Sequence, residues 1–356
     1  MPAWSWGLPA AGIATLAVAA LLGEPGWGLA LVSAIVLGGS VMAAVHHAEV
    51  IAHRVGEPFG TLVLALAVTV IEASLILSMM IAGGAEMAVL PRDTIYAAIM
   101  IICNGVVGLC LLLGGLAHRE QAFRAEGAGA GLAALIVMAA LTLVLPVFTT
   151  SSGPGSYTAS QLTFVAVSSA ALWAVFVFVQ TVRHRDYFLP PAGATDPESH
   201  AEPPSKRLTW LSLALLLVSL VAVVGLAKVL SPTIEHLVAK AGAPRAVVGI
   251  VIALVVLLPE TVAAVRAARA DRLQTSMNLA IGSALASIGL TIPVVCAAVV
   301  MFDLPLLLGL EPKELVLLAV TFLVNAVTLG SGRTHMMQGA VHLVLFAAFL
   351  FLAMVP

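Results

Sequence analysis

Glu72 and Glu260 each close a long aliphatic run, "GTLVLALAVTVIE" (60 to 72) and "VGIVIALVVLLPE" (248 to 260). Set against each other without gaps, the runs match Val63 with Val251, Ala65 with Ala253, Leu66 with Leu254, Val68 with Val256 and Glu72 with Glu260. An ionised carboxylate facing hydrocarbon costs roughly 3 kcal/mol or more, so each Glu must face protein or water. The competing reading of a single such residue is a neutral carboxyl that hydrogen-bonds a neighbouring helix. A pair in matched register favours a working site. Desolvation favours the protonated carboxyl and a nearby cation favours the ionised one, so the two groups can trade protons for a cation. That is the chemistry of an antiporter.

Oxygen ligands are what a hard cation needs beside carboxylates, and both runs have them nearby. Pro259 lacks an amide donor and displaces the carbonyl four residues back, that of Val255, from the helix ladder. Thr69, Ser74, Ser78, Asn104, Asn278, Ser283 and Ser287 are the candidate second ligands. Gly282, Ser283, Ala286, Ser287 and Gly289 form a small-residue stripe that also suits close helix packing. In "VHHAEVIAHRVGEP", His46, Glu49 and His53 share a helix face at i, i+3 and i+7, with Glu57 just beyond. They read as a pH-sensing or proton-delivery mouth, or as a solvated helix end. His342, in the last apolar run, reads as a helix-contact histidine. Cys103, Cys110 and Cys296 lie in apolar runs without metal-ligand spacing and read as small buried hydrophobes.

The elements that hold these residues are membrane helices. The chain is 61% hydrophobic and 10% charged, against roughly 25% charged in soluble domains. A net charge of -2 offers nucleic acid no electrostatic partner. Apolar runs near the ~20 residues that a bilayer core requires occur eleven times, near 6–22, 26–45, 60–82, 94–116, 127–149, 160–182, 208–230, 245–267, 276–301, 313–330 and 335–355. "MPAWSWGLPAAGIATLAVAALLG" lacks the basic start of a cleaved signal and reads as the first span. Of the 16 basic residues, Arg92, Lys228, Lys240, Arg245 and Lys313 fall on one side and the other eleven on the N-terminal side. The positive-inside rule therefore predicts a cytoplasmic N-terminus and a C-terminus outside.

The polar segment 183–207, "RHRDYFLPPAGATDPESHAEPPSKR", cannot bury enough apolar surface to fold by itself and reads as a cytoplasmic linker. Its acids Asp186, Asp196, Glu198 and Glu202 read as solvated or as a regulatory calcium patch. It divides the chain into an additional N-terminal helix (1–25), a first five-helix set (26–182) and a second (208–356). Each Glu lies in the second helix of its set. Because five is odd, the sets enter the membrane from opposite sides, and the expected fold class is an all-α polytopic membrane protein with two inverted-topology repeats. Transporters of that kind bind at the repeat interface near the midplane.

"GEPFGTLVLALAVTVIEASLI", "LPETVAAVRAARADRLQTSMNLAIGSALASIGLTIPVV" and "GRTHMMQGAVHLVLFAAFLF" together resemble the bacterial ChaA-type cation/proton antiporters of the calcium/cation antiporter superfamily. The resemblance runs through both sets and implies alpha-repeats in spans 3 and 4 and spans 8 and 9, with the essential carboxylates on Glu72 and Glu260. It implies a bacterial inner-membrane protein that exchanges calcium, or in some members sodium or potassium, for protons, with no cofactor beyond the transported ions. The partners are then inorganic cations, protons and the bilayer; a homo-oligomer stays open. One departure stands out. The wider calcium/proton exchangers place an amide oxygen three residues before each Glu, where this chain has Thr69 and Leu257. A passive cation channel would also use inward carboxylates, but a repeated single Glu suits alternating access. An intramembrane metal enzyme fits less well, because "HHAEVIAH" lacks the HExxH order.

Overall fold

The computed structural model describes residues 2–22, 26–55, 59–189, 204–240, 242, 244 and 246–355. Eleven long helices account for most of them: α1 (Ala3–Leu22), α2 (Trp27–Val55), α3 (Phe59–Gly83), α4 (Leu90–His118), α5 (Ala125–Val147), α6 (Ala159–Arg183), α7 (Lys206–Lys240), α8 (Ala246–Arg269), α9 (Leu273–Phe302), α10 (Pro312–Gly330) and α11 (Met336–Met354). Each has the length and apolar composition to cross a membrane. Large side chains such as Leu21, Leu31, Ile35, Val327 and Val344 stay exposed on the outer helices, a surface that only lipid would cover favourably.

Connections alternate between two faces of the bundle, and hydrogen bonds join the loops of each face. On the first, two short strands, β1 (Glu120–Ala122) and β2 (Arg333–His335), pair antiparallel with Gln121 opposite Thr334. The Gln121 amide there donates to the Ala268 carbonyl and to Asp271. On the second face the Leu307 amide donates to the Ala88 carbonyl at 2.9 Å and the Gly309 amide to that of Gly155 at 2.9 Å. Arg54, Arg119, Arg124, Arg269 and Arg333 all belong to the first face, hereafter the basic face.

Burial sorts the helices into centre and rim. In α4, 83% of the apolar window is buried, against 28% in α1 and 17% in α11, so α4 is the axis of the bundle. One apolar cluster gathers α4, α5, α9 and parts of α8 and α11; a second gathers α2, α3 and α7. Gly339 of α11 lets that helix pass directly over the α4 backbone at Leu112, where any Cβ would collide. Among the described residues, four helices contain π-helical stretches, at Ile101–Val106 in α4, Ala140–Val144 in α5, Val179–Arg183 in α6 and Ser287–Thr291 in α9. Such stretches shift the side chains that follow them around the helix axis and recur at functional sites.

Three sequence expectations need correction. The second span continues past residue 45 to Val55, because His47, Ala48 and Ile51 keep one face buried although polar residues occupy the other. The seventh continues past residue 230 through Pro232 to Lys240. The linker is not solvated from its start: Arg185–Phe188 forms a 3-10 turn whose Phe188 ring packs edge-on against Phe176, with centroids 5.7 Å apart. Asp186 in that turn is exposed. Asp196, Glu198 and Glu202 lie outside the described residues, as do Glu57 and Pro356.

Candidate functional site

Glu72 occupies the middle of α3 and is 2% exposed. Its Oε2 accepts hydrogen bonds from Ser287 Oγ at 2.9 Å and Thr291 Oγ1 at 3.1 Å. Both donors bracket the π-helical stretch of α9, which turns hydroxyls four residues apart toward the same carboxylate oxygen. Two charge-assisted bonds of this kind offset part of the desolvation of an ionised group, each contributing roughly 1.5 to 3 kcal/mol.

Glu260, the residue after the buried Pro259 in α8, is only partly buried. Its Oε2 has no hydrogen-bond partner among the described residues. It lines a cavity of about 100 Å³ bounded by α3, α6, α8 and α9. Glu72 and Glu49 are the charged groups that act on Glu260 electrostatically. Thr69, Gln180, Asn278, Ser283 and Ser287 supply the other polar lining, and Trp173, Phe176 and Val177 of α6 form an apolar wall. Asn278 lies near the basic-face end of α9, and Ser287 lies nine residues, or ~13 Å, deeper. The cavity therefore runs inward from the basic face, past Glu260, to the hydroxyl that holds Glu72. At its mouth the Asn278 amide donates to the Phe188 carbonyl at 2.6 Å and accepts from Gln274 at 2.9 Å. The volume suits a cation with a few waters, and the donor set of carboxylates and hydroxyls is all oxygen, as hard cations require.

Sequence-nominated ligands divide between this cavity and other places. Thr69, Asn278, Ser283 and Ser287 line it. Ser74 is half-buried on another side of α3, since two residues along a helix turn about 200° from Glu72. Val255, nominated for its carbonyl, is half-buried with its side chain against the second apolar cluster. Asn104 joins a separate buried network: its amide donates to Thr321 Oγ1 at 2.9 Å, and its Oδ1 accepts from His342 Nδ1 at 3.3 Å. The other ring nitrogen of His342 then accepts from Thr328 Oγ1 at 3.1 Å, so that histidine is fully satisfied. Of the small-residue stripe, Gly289 serves packing, with a Cβ there falling 2.5 Å from Trp173, while Gly282, Ser283, Ala286 and Ser287 line the cavity.

The histidine region is helical, but its members face different partners. His46 packs against Trp4 with ring centroids 5.0 Å apart, whereas Glu49 and His53 are exposed. His47, which the spacing argument passed over, is the buried one, and its Nε2 donates to the Ser5 carbonyl at 2.7 Å. Among the described residues no three His, Cys, Asp or Glu converge as a metal group. Cys103, Cys110 and Cys296 are buried free thiols. Thr291 and Gln180 were also missed. Thr291 carried a usable signal, a hydroxyl four residues beyond Ser287; Gln180 on α6 carried none.

Residues 25–182 and 211–355 match the sodium/calcium exchanger protein family, and the gap between the two matched segments falls on the polar linker. The chain is 49% identical over its whole length to the putative ionic transporter y4hA of Sinorhizobium fredii, covering 97% of that protein. It is 36% identical over 87% of its length to the sodium-potassium/proton antiporter ChaA of Escherichia coli, covering 84% of it. Among solved structures, native YfkE, a Ca2+/H+ antiporter, superposes with a TM-score of 0.75 at 19% identity, over 99% of this chain and 100% of that one. The chain belongs to the sodium/calcium exchanger family, a multi-pass membrane transporter of the calcium/cation antiporter superfamily and not an enzyme.

Proposed function

We propose that this family member is a secondary-active cation/proton antiporter in which Glu72 and Glu260 carry, alternately, a cation and protons. The observation that carries the reading is that Glu260 lines the cavity and has a buried carboxylate oxygen without a hydrogen-bond partner among the described residues, in a lining that also holds Thr69 and Ser287, while Ser287 also holds Glu72. Two carboxylates can be neutralised by one divalent cation or by two protons. Either load leaves the site uncharged, which is the condition for moving it through a low-dielectric interior. The empty, doubly ionised site is costly to move, and this couples the two fluxes.

The Glu residues come from the paired helices α3/α4 and α8/α9, read here as inverted repeats that rock around the site. With the basic face toward the cytoplasm of a bacterium, the present conformation admits ions from inside, and the C-terminus lies outside. Calcium is the first candidate cargo. Thr69 and Leu257 stand where the wider calcium/proton exchangers carry amide oxygens, so a looser site that accepts sodium or potassium is equally consistent with this donor set. The name of the ChaA relative supports the monovalent ions, and the name of YfkE supports calcium. Proton movement in everted vesicles, recorded after separate additions of calcium, sodium and potassium, tests the reading. Cation-dependent alkalinisation of an acid-loaded lumen is expected, and cation uptake without it contradicts antiport.

A further inference from the structure

One wall of the Glu260 cavity is apolar except at a single residue. On α6, Trp173, Phe176, Val177 and Gln180 recur at the three- and four-residue spacing of one helix face, and all four line the cavity. Val175, Phe178 and Val182 lie away from that face and are exposed, as lipid-facing side chains are. Gln180 is thus the one polar residue that α6 contributes to the lining.

The cavity's two amides are used differently. Asn278 is committed at both ends, its Nδ2 donating to the Phe188 carbonyl at 2.6 Å while its Oδ1 accepts from Gln274 at 2.9 Å. Gln274 is held in turn, its own oxygen accepting the Arg124 backbone amide at 2.6 Å. The Gln180 side chain makes no hydrogen bond among the described residues. A half-buried amide without a protein partner is costly against hydrocarbon, and the cavity is the polar space that Gln180 borders.

The helix itself changes at this point. Val179–Arg183 winds as a π-helix, closed by the His184 amide on the Val179 carbonyl at 2.9 Å. Such a wide turn re-aims the side chains within it and recurs at functional sites. Gln180 stands three residues, or ~5 Å, from the basic-face end of α6, against nine residues, or ~14 Å, for Glu260 on α8. An ion entering from that face meets Gln180 first.

We propose that Gln180 is an entry ligand, its amide oxygen taking the place of one hydration water as a cation passes from the basic face toward Glu260. The inference rests on the antiport reading and adds to it a residue that governs cation capture without binding protons. Hard cations accept a neutral amide oxygen beside carboxylates. The amide has no titratable proton, so it serves the cation alone.

The test measures exchange in vesicles that hold the full-length protein, with calcium and sodium added separately, and compares the wild type with Gln180→Leu and Gln180→Asn. Leucine keeps the bulk and removes the amide, whereas asparagine keeps the amide and withdraws it by one methylene. For whichever cation drives proton movement, Gln180→Leu should raise the half-saturating concentration roughly three- to tenfold, the scale of one neutral polar contact, and leave the maximal rate within about twofold. Gln180→Asn should fall between leucine and the wild type. The pH at which cation affinity changes should be the same in all three, because the group removed does not titrate. Unchanged half-saturation in Gln180→Leu, a fall in maximal rate alone, or a shifted pH midpoint would overturn the inference while antiport by the wild type stands. A wild type that moves no protons on cation addition would remove the antiport reading, and this inference with it.

Discussion

Glu72 and Glu260 close matched sequences and sit in unlike surroundings. Glu72 is enclosed and accepts two hydroxyl hydrogen bonds from α9, whereas Glu260 is only partly buried, lines the cavity and has one carboxylate oxygen without a hydrogen-bond partner among the described residues. Their depths differ too. Glu72 lies thirteen residues, or ~20 Å, from the basic-face end of α3, and Glu260 nine residues, or ~14 Å, from that of α8. On the proposed reading the difference is that of a two-sided carrier open on one side: the carboxylate nearer the open face lines the cavity, and its counterpart is held by the protein. In the opposite state the settings should exchange.

Removing the charges has the largest expected effect. Glu72→Gln and Glu260→Gln preserve size and should each reach the membrane and lose at least ~100-fold in exchange rate, the scale of a missing charged ligand. Aspartate at either position should leave partial activity with weakened cation affinity. If only Glu260→Gln failed, the two sites would not act as a pair, and Glu72 would be a packing residue.

A smaller effect should separate the enclosed carboxylate from the open one. Ser287→Ala or Thr291→Ala removes one donor to Glu72, worth roughly 1.5 to 3 kcal/mol for a charged acceptor. Apparent cation affinity should fall by about tenfold or more, measured as the half-saturating concentration in vesicles. Thr69→Ala, which removes a hydroxyl from the cavity lining, should cost less. Equal losses at all three would mean that the two Glu settings are energetically alike.

Smallest in transport should be the Asn104, Thr321 and His342 network. Asn104→Ala removes the acceptor of His342 Nδ1 and a donor to the Thr321 hydroxyl, which keeps its bond to Met100 Sδ, so stability should fall by roughly 1 to 3 kcal/mol while cation affinity stays unchanged. Thermal unfolding and vesicle assays on the same preparation check both halves of that statement. A large loss of affinity would join Asn104 to the site.

What sequence could and could not reveal follows from the same contrast. Hydrophobic run length located the eleven helices, because that signal is local and strong, and the recurring Glu supplied the pair that the proposed mechanism uses. Helix ends at Val55 and Lys240 were missed, since a polar face over a buried one ends an apolar run without ending the helix. The π-helical stretch at Ser287–Thr291 leaves no composition signal, and the hold of Thr291 on Glu72 shows in the sequence only as a hydroxyl four residues beyond Ser287. Asn104 was drawn toward the site by its type alone, whereas the partners that claim it, Thr321 and His342, lie more than 200 residues away.

Competition between cation and protons for the same carboxylates is the central claim, and simultaneous measurement tests it most directly. Calcium, then sodium, is titrated into lightly buffered purified protein while bound cation and released protons are recorded together. Because the cation binds the ionised carboxylates, apparent affinity should rise with pH and binding should release protons wherever the pair starts protonated. Both signals should vanish in the Glu72→Gln/Glu260→Gln protein. Cation binding at full affinity with no proton release at any pH, or release that persists without the two carboxylates, would contradict the account.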